Sequence, residues 1–416
     1  MNAQPIILAL VFAGIMFRQF IGKKIRIWHI MAAGAVLSLI SYRRNPADIA
    51  SFIDLDVIVF LIFIFIIGEA VIRAELLERT IARVSGLAKG RFFFFILLSF
   101  TLGALAAFFM NDTVAVIGTP FLLVLSERTG ISHKLMLLLL AFSITTGSVL
   151  SPIGNPQNLM IALSSGMSDP FGSFFARLAL PTVISLALIV PVLFIFYPSS
   201  FTGNRPAFSG KRSGEPQSRQ CFRRTPPDLK ASLLILTGAI IFKMTAVAFG
   251  VPLDIKLTYI AVLSAIPLII ARKDRLSLIR SIDWETILFF IFMFILTGNA
   301  WAEGGVQELI RSGTVISEKN ILPVSIILSQ FLSNVPLAAF LIPVVRGFGG
   351  GELNYLLLAS GSTIAGNMLL LGAASNIIIV QNAEKKGYRL GFFEFAAPGL
   401  ILTFMQFMIY YSMLRK

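Results

Sequence analysis

The sequence predicts an all-α polytopic membrane protein. It is read as two inverted repeats, with about ten transmembrane helices, two re-entrant hairpins and helices that unwind at mid-membrane. Three observations carry this reading. Apolar segments about as long as a bilayer is thick recur along the chain, basic residues gather on alternate connections, and the two halves share matching words at their breaks. The 416 residues are 56% hydrophobic and 13% charged, with 38 phenylalanines, whereas a soluble domain carries roughly 25% charged residues. Mean hydropathy is +0.84. This excludes a secreted disulfide scaffold, a disordered chain and a soluble two-domain enzyme. A net charge of +14 would suggest nucleic acid in a soluble protein. Here it is read as a record of orientation, and no nucleic-acid partner is expected.

The apolar segments fall at about 5–21, 27–41, 55–73, 92–125, 135–163, 174–197, 230–250, 255–271, 285–301, 321–346, 353–382 and 392–414. Met1-Asn2-Ala3-Gln4 lacks the basic region of a signal peptide, so 5–21 is read as a retained span. Segments 92–125 and 321–346 each carry a polar knot, Asn111-Asp112-Thr113 and Ser333-Asn334. Both are read as hairpins that enter and leave on one side. Non-helical backbone at that depth survives only where protein or water covers it. With the N-terminus outside, 25 of the 35 Lys and Arg residues fall on the inner side and eight outside. The opposite orientation inverts that ratio, so both termini are placed outside.

A Pro-, Ser- and basic-rich linker at 198–229 divides the chain into repeats at 1–197 and 230–416, and is expected to be cytoplasmic. Ile53-Asp54-Leu55-Asp56-Val57-Ile58-Val59-Phe60 resembles Ile282-Asp283-Trp284-Glu285-Thr286-Ile287-Leu288-Phe289, and Gly68-Glu69-Ala70 resembles Gly298-Asn299-Ala300. Asn111 falls opposite Asn334, while Thr145, Gly154 and Asn158 fall opposite Thr363, Gly372 and Asn376 at one shared offset. Five crossings and a hairpin per half invert the second half relative to the first. Inverted repeats with interrupted helices are the architecture of secondary transporters, whose site lies near the midplane.

Two spans cannot stay regular helices. One contains Thr145-Thr146-Gly147-Ser148 and then Ser151-Pro152-Ile153-Gly154-Asn155-Pro156-Gln157-Asn158. The other contains Ser360 to Asn367 and then Gly372-Ala373-Ala374-Ser375-Asn376. Unwound carbonyls can coordinate Na⁺, and half-helix N-termini can hold an anion. Two unwound helices and two hairpin tips are expected to converge on one polar cavity. Its expected lining is Asn111, Asn155, Asn158, Asn334 and Asn376, with neighbours Thr113, Thr145, Thr146, Ser333, Thr363 and Ser375. Asp112, whose counterpart in the second half is Val335, is the candidate for coupling, because an acid at membrane depth is functional by default. Asn111, Gly147, Gly154, Asn334 and Gly372 join it as coupling-ion candidates. Glu69 and Lys243 are also membrane-embedded, Lys243 by snorkelling to the interface. His29 and His133 lie near span ends and are read as interfacial. The lone Cys221 supports no disulfide or thiolate metal site. No resident cofactor is expected, only Na⁺ or H⁺ as the coupling ion.

At these residues the chain resembles the ion transporter superfamily, which includes arsenite permeases, divalent-anion/sodium symporters and some sodium/proton antiporters. Asn111-Asp112-Thr113 followed by Thr119-Pro120 is similar to the first hairpin of the arsenite-permease branch. Ser151 to Asn158 is similar to the signature that follows it, and Ser333-Asn334 and Ser375-Asn376 match the second half. The dicarboxylate symporters carry Ser-Asn-Thr at both tips; Asn-Asp-Thr and Ser-Asn-Val stand here, which favours the arsenite-permease side. The resemblance implies a homodimeric elevator in the lipid bilayer. Its scaffold domain would cover about 1–91, 174–301 and 392–416, and its transport domain 92–163 and 321–382.

The expected function is secondary active transport of a small anion or metalloid oxyacid, arsenite-like or a carboxylate, coupled to H⁺ or Na⁺. A sodium/proton antiporter is the alternative. No nucleophile–base or paired-acid constellation lies at depth, so an enzyme is not expected. No nucleotide-binding loop appears. Some arsenite permeases associate with a separate ATPase, but nothing in this chain indicates such a partner.

Overall fold

The structure is a computed structural model, describing residues 4–21, 26–42, 44–87, 90–201, 225–249, 251, 255–304 and 319–415. Most of the linker, with Cys221, lies outside the described residues. Among those described, the regular structure is helical. Six helices of 18 or more residues are long and apolar enough to cross a membrane.

In the first repeat, α1 (Gln4–Ile21), α2 (Ile27–Ser41), α3 (Pro46–Phe52), α4 (Leu55–Arg73) and α5 (Leu76–Gly86) come first. They are followed by α6 (Arg91–Phe109), α7 (Asn111–Thr129), α8 (His133–Ser148), α9 (Pro156–Ser164), α10 (Pro170–Phe196) and the short α11 (Pro198–Phe201). The second repeat runs α12 (Pro227–Ala248), α13 (Leu257–Ala271), α14 (Arg275–Ser281), α15 (Trp284–Ala302), α16 (Ile321–Leu332) and α17 (Asn334–Gly347). It closes with α18 (Glu352–Ile364), α19 (Ala374–Lys385) and α20 (Phe392–Leu414).

The repeat is visible in element lengths, caps and packing. Helices α3 and α14 both have seven residues, and α4 and α15 both have 19, all at one offset. Each long helix opens on an aspartate cap: Asp54 accepts from the Val57 N–H at 3.2 Å, and Asp283 from Thr286 at 3.1 Å. Packing is reciprocal. Helix α4 lies on α13 as α15 lies on α2, and α7 lies on α19 as α17 lies on α9. Such exchange between halves is what a pseudo-two-fold axis produces.

Polar contacts show which helix ends share a face. Asp56 pairs with Lys256 at 2.8 Å, and Arg44 pairs with Glu303, at one end of the bundle. Arg73 pairs with Asp274 at 2.9 Å, and Arg26 with Glu285, at the other, where Lys134 also pairs with Glu394 and Glu127 accepts from Tyr388. Every one of these joins ends that the charge distribution places on a common side.

The helices fall into two groups. One holds α1–α4 and α12–α15; in the other, α6, α7, α8 and α9 pack with α16–α19. Helices α10 and α20 pack on each other, α10 also on α6 and α8, and α20 on α18. The family resemblance groups 174–197 and 392–416 with the first set. Three elements carry no long apolar run. Helices α3 and α14 are too short to produce one, and α5 alternates polar and apolar faces, with Leu77 and Ile81 buried while Arg83 is exposed.

Candidate functional site

Both candidate spans are broken. Helix α8 ends at Ser148 and α9 begins at Pro156, whose ring is tolerated only because it opens a helix. Asn155 caps α9 by accepting from the Asn158 N–H at 2.8 Å. Helix α18 ends at Ile364 and gives way to two 3₁₀ turns, Ala365–Asn367 and Leu370–Gly372, before α19. Each hairpin turns at one residue with positive φ, Met110 (63°) in the first and Ser333 (66°) in the second, at equivalent places. A non-glycine residue there costs free energy, so the surroundings must hold it. The arm α6 has 19 residues and could itself cross a membrane. Its tip nevertheless ends inside the bundle, where the Asn111 N–H donates to the Gly154 carbonyl at 2.9 Å.

Carbonyls released by the breaks are bound by side-chain amides, as an apolar interior demands. Asn158 Nδ2 donates to the carbonyls of Ser148 (3.1 Å) and Ser151 (3.3 Å). Its repeat partner Asn376 Nδ2 donates to the Gly366 carbonyl at 2.7 Å, the position equivalent to Ser148. Gln330 Nε2 donates to the Ala365 carbonyl at 2.9 Å. Gly154 is required, because a Cβ there would overlap the Ser148 carbonyl; at Gly372 the corresponding approach to Ala365 O is 2.9 Å.

The two halves differ in how their acceptors are satisfied. In the first break Thr363 Oγ1 donates to Asn158 Oδ1 at 3.1 Å, and Asn155 Nδ2 donates to Ser148 Oγ at 3.0 Å and Thr363 Oγ1 at 3.2 Å. Around the second break, Thr145 Oγ1, Asn334 Oδ1, Asn376 Oδ1 and Gln330 Oε1 are buried with no hydrogen-bond partner. The residues are neighbours: a Cβ on Gly366 would lie 3.1 Å from Thr145 Cγ2 and 3.5 Å from Asn334 Nδ2, Asn376 Nδ2 binds the Gly366 carbonyl, and a Cβ on Gly372 would lie 3.1 Å from Gln330 Oε1. Thr145 and Thr363 are repeat partners, yet only Thr363 is paired. Buried acceptors without donors are costly. Among the described residues, no three His, Cys, Asp or Glu side chains gather at one place.

Asn111 Nδ2 reaches Ser375 Oγ at 3.4 Å, joining the first tip to α19. Asp112 is half-buried in the first turn of α7, its backbone N–H donating to Asn111 Oδ1 at 2.9 Å; among the described residues no donor binds its carboxylate. Thr113 faces α4, 3.6 Å from where a Cβ of Gly68 would stand. Ser333 forms the second tip. Thr146 turns away from the tips and accepts from Asn367 Nδ2 (2.9 Å) and Gln406 Nε2 (2.8 Å). Gly147 is a close-packing position, since a Cβ would overlap the Gly103 backbone of α6.

His29 Nδ1 accepts from the Arg26 N–H at 3.1 Å, and His133 lies 5.0 Å from the Tyr388 ring. Glu69 binds Arg73 at 3.0 Å. Lys243 is buried and donates to the Ile255 carbonyl at 2.7 Å. Sequence reasoning missed Gln330, Asn367, Gln406 and Gln157, whose Nε2 donates to Thr363 Oγ1 at 3.4 Å. A lone amide inside an otherwise apolar helix, as at Gln330 and Gln406, was the available signal.

A cavity of about 340 Å³ lies between Met160 of α9, Ala339 of α17 and the Phe294–Ala302 stretch of α15.

Residues 12–354 match the family described as citrate transporter. The chain belongs to the citrate transporter family. Other relatives agree with a membrane transporter rather than an enzyme. An uncharacterized transporter of Mycobacterium tuberculosis is 26% identical over 370 residues, covering 84% of this chain and 83% of that protein. A transporter named arsB from Dictyostelium discoideum is 21% identical, covering 89% and 84%. The human P protein is 23% identical, covering 94% of this chain and 57% of that protein. Among solved structures, the YdaH transporter of Alcanivorax borkumensis superposes with a TM-score of 0.58 over 88% of this chain and 86% of that one, at 12% identity. That likeness is one of fold, and it matches a multi-pass helical membrane protein.

Proposed function

We propose that this protein is a secondary active transporter for a small organic anion of the citrate-like carboxylate class, coupled to Na⁺ or H⁺. The observation that carries the reading is the pairing of two features at one depth. The N-termini of α7, α9, α17 and α19 belong to the tips and breaks just described and supply positive dipole ends for an anion. The unpartnered oxygens of Thr145, Gln330, Asn334 and Asn376 supply a cation site beside them. Positive helix ends favour a carboxylate over arsenous acid, which is neutral near pH 7. Asp112 is the candidate for proton coupling or for charge balance beside the cation.

On this reading the hairpins α6–α7 and α16–α17 are re-entrant, both termini lie outside, and the linker 198–229 is cytoplasmic in a cell-membrane protein. The transport body comprises α6–α9 and α16–α19 together with α10 and α20, because those two helices pack on it. It slides as an elevator against a scaffold of α1–α4 and α12–α15 through which the protein dimerises.

The test is flux in proteoliposomes with citrate, other carboxylates, oxyanions and arsenite under imposed Na⁺ or pH gradients. Saturable carboxylate uptake driven by one gradient, lost in Asp112→Asn with the fold intact, is the expected result. Na⁺/H⁺ exchange that proceeds without any anion would replace this reading with the antiporter one, which the unpaired Asp112 carboxylate favours.

A further inference from the structure

The cavity of about 340 Å³ lies between the two helix groups and belongs to neither alone. One wall comes from α15, through Phe294 and Trp301, and the other from α9 and α17, through Met160 and Ile342. Its rim carries Arg346, Ser164 and Asp54, at the end of the bundle that bears the Asp56–Lys256 and Arg44–Glu303 pairs. Its floor reaches Met160, two residues beyond Asn158, and Ala339, five beyond Asn334. At about 1.5 Å of rise per residue, roughly 3–8 Å of helix separates the cavity from the polar network.

Among the described residues that line it, Arg346 is the cation. Arg346 Nη2 donates to the Ser164 carbonyl at 2.9 Å, and among the described residues no carboxylate pairs with it. Asp54 stands across the rim, where its Oδ1 accepts from the Val57 N–H as the cap of α4. A guanidinium with free N–H groups fits a carboxylate. The aromatic and aliphatic walls suit a carbon skeleton rather than a hydrated inorganic ion.

We propose that this cavity is the outer vestibule, in which an organic carboxylate docks on Arg346 before it reaches the tips. Arg346 is a binding residue of that vestibule and selects for anionic carboxylates. The inference rests on the transport reading above and adds the access side and a residue.

The experiment has two arms. In a Cys221→Ser background, Thr297→Cys, which lines the cavity, is treated with a membrane-impermeant cationic methanethiosulfonate from either side of oriented vesicles. Ser281→Cys serves as the control at the opposite end. Thr297→Cys is expected to react from outside only, and citrate is expected to slow the reaction. In the second arm, Arg346→Gln is expected to raise KM for citrate at least fivefold with kcat within twofold. Arg346→Lys should recover most of the loss, and the effect should shrink at high salt. Modification from inside only, no modification, or an unchanged KM in Arg346→Gln would overturn the vestibule. Labelling with citrate protection in a protein that moves no anion would sink the transport reading and leave the vestibule standing. Coupled uptake with an unreactive Thr297→Cys would do the reverse.

Discussion

Asn158 and Asn376 occupy equivalent places in the two repeats, and their side chains face different demands. Both amides donate to carbonyls freed by a break, but Asn158 Oδ1 also accepts from Thr363, while Asn376 Oδ1 has no partner. Asn158→Ala strands buried groups of Ser148, Ser151 and Thr363. It should cost on the order of 2 kcal/mol or more, read as a lowered melting temperature in detergent with or without Na⁺. For Asn376→Ala, loss of Na⁺-dependent thermal stabilisation is the expected signature, because an ion that binds only the native state stabilises it by mass action. Equal Na⁺ responses in the wild type and Asn376→Ala would remove Asn376 from the cation site. The sequence marked both asparagines through their shared offset. It could not show that one is satisfied and the other is not, because that depends on where Thr145 and Thr363 lie across the repeat axis.

At the scale of elements, the two breaks have different causes. The first is written locally: Pro152, Gly154 and Pro156 forbid a continuous helix wherever the segment lies. The second contains no proline and is held open by its neighbours. Gln330 and Asn376 bind the freed carbonyls, Asn367 Nδ2 reaches Thr146 and Gln406 at 2.9 Å each, and Gly399 of α20 leaves room for the Asn367 carbonyl. Gln406→Leu should therefore destabilise by about 1–3 kcal/mol and increase amide hydrogen exchange at 365–372 more than at 149–155. Equal exchange at both breaks would count against this account. Gly154→Ala should cost roughly 1–3 kcal/mol, exceeding Gly372→Ala, since its Cβ meets fixed backbone more closely. Thermal melts of the two variants decide the order.

For the whole molecule, the division into two bodies turns on α10 and α20. The resemblance implies that they belong to the scaffold, and they pack on α6, α8, α18 and each other. The bodies meet where Thr113 at the first tip faces Gly68 of α4. In a Cys221→Ser background, oxidation of the Gly68→Cys/Thr113→Cys pair should arrest transport, and reduction should restore it. Transport at the normal rate in the fully cross-linked protein would show that these surfaces do not slide past one another.

The sequence alone determined the membrane class, the sharing of sides by helix ends, the inverted repeat and the tip and break residues. Each of these follows from local rules: bilayer length, the cost of burying charge, proline and glycine geometry, and the two-fold recurrence of words. Tertiary structure decided which acceptors stay unpartnered, that Thr146 and Gly147 serve packing, that Gln330 and Gln406 support the second break, and that a cavity lies beneath Arg346. Those outcomes depend on distances between residues far apart in the chain. In an apolar interior, where each polar atom must find a partner or remain available to a ligand, such distances separate a structural amide from a binding one.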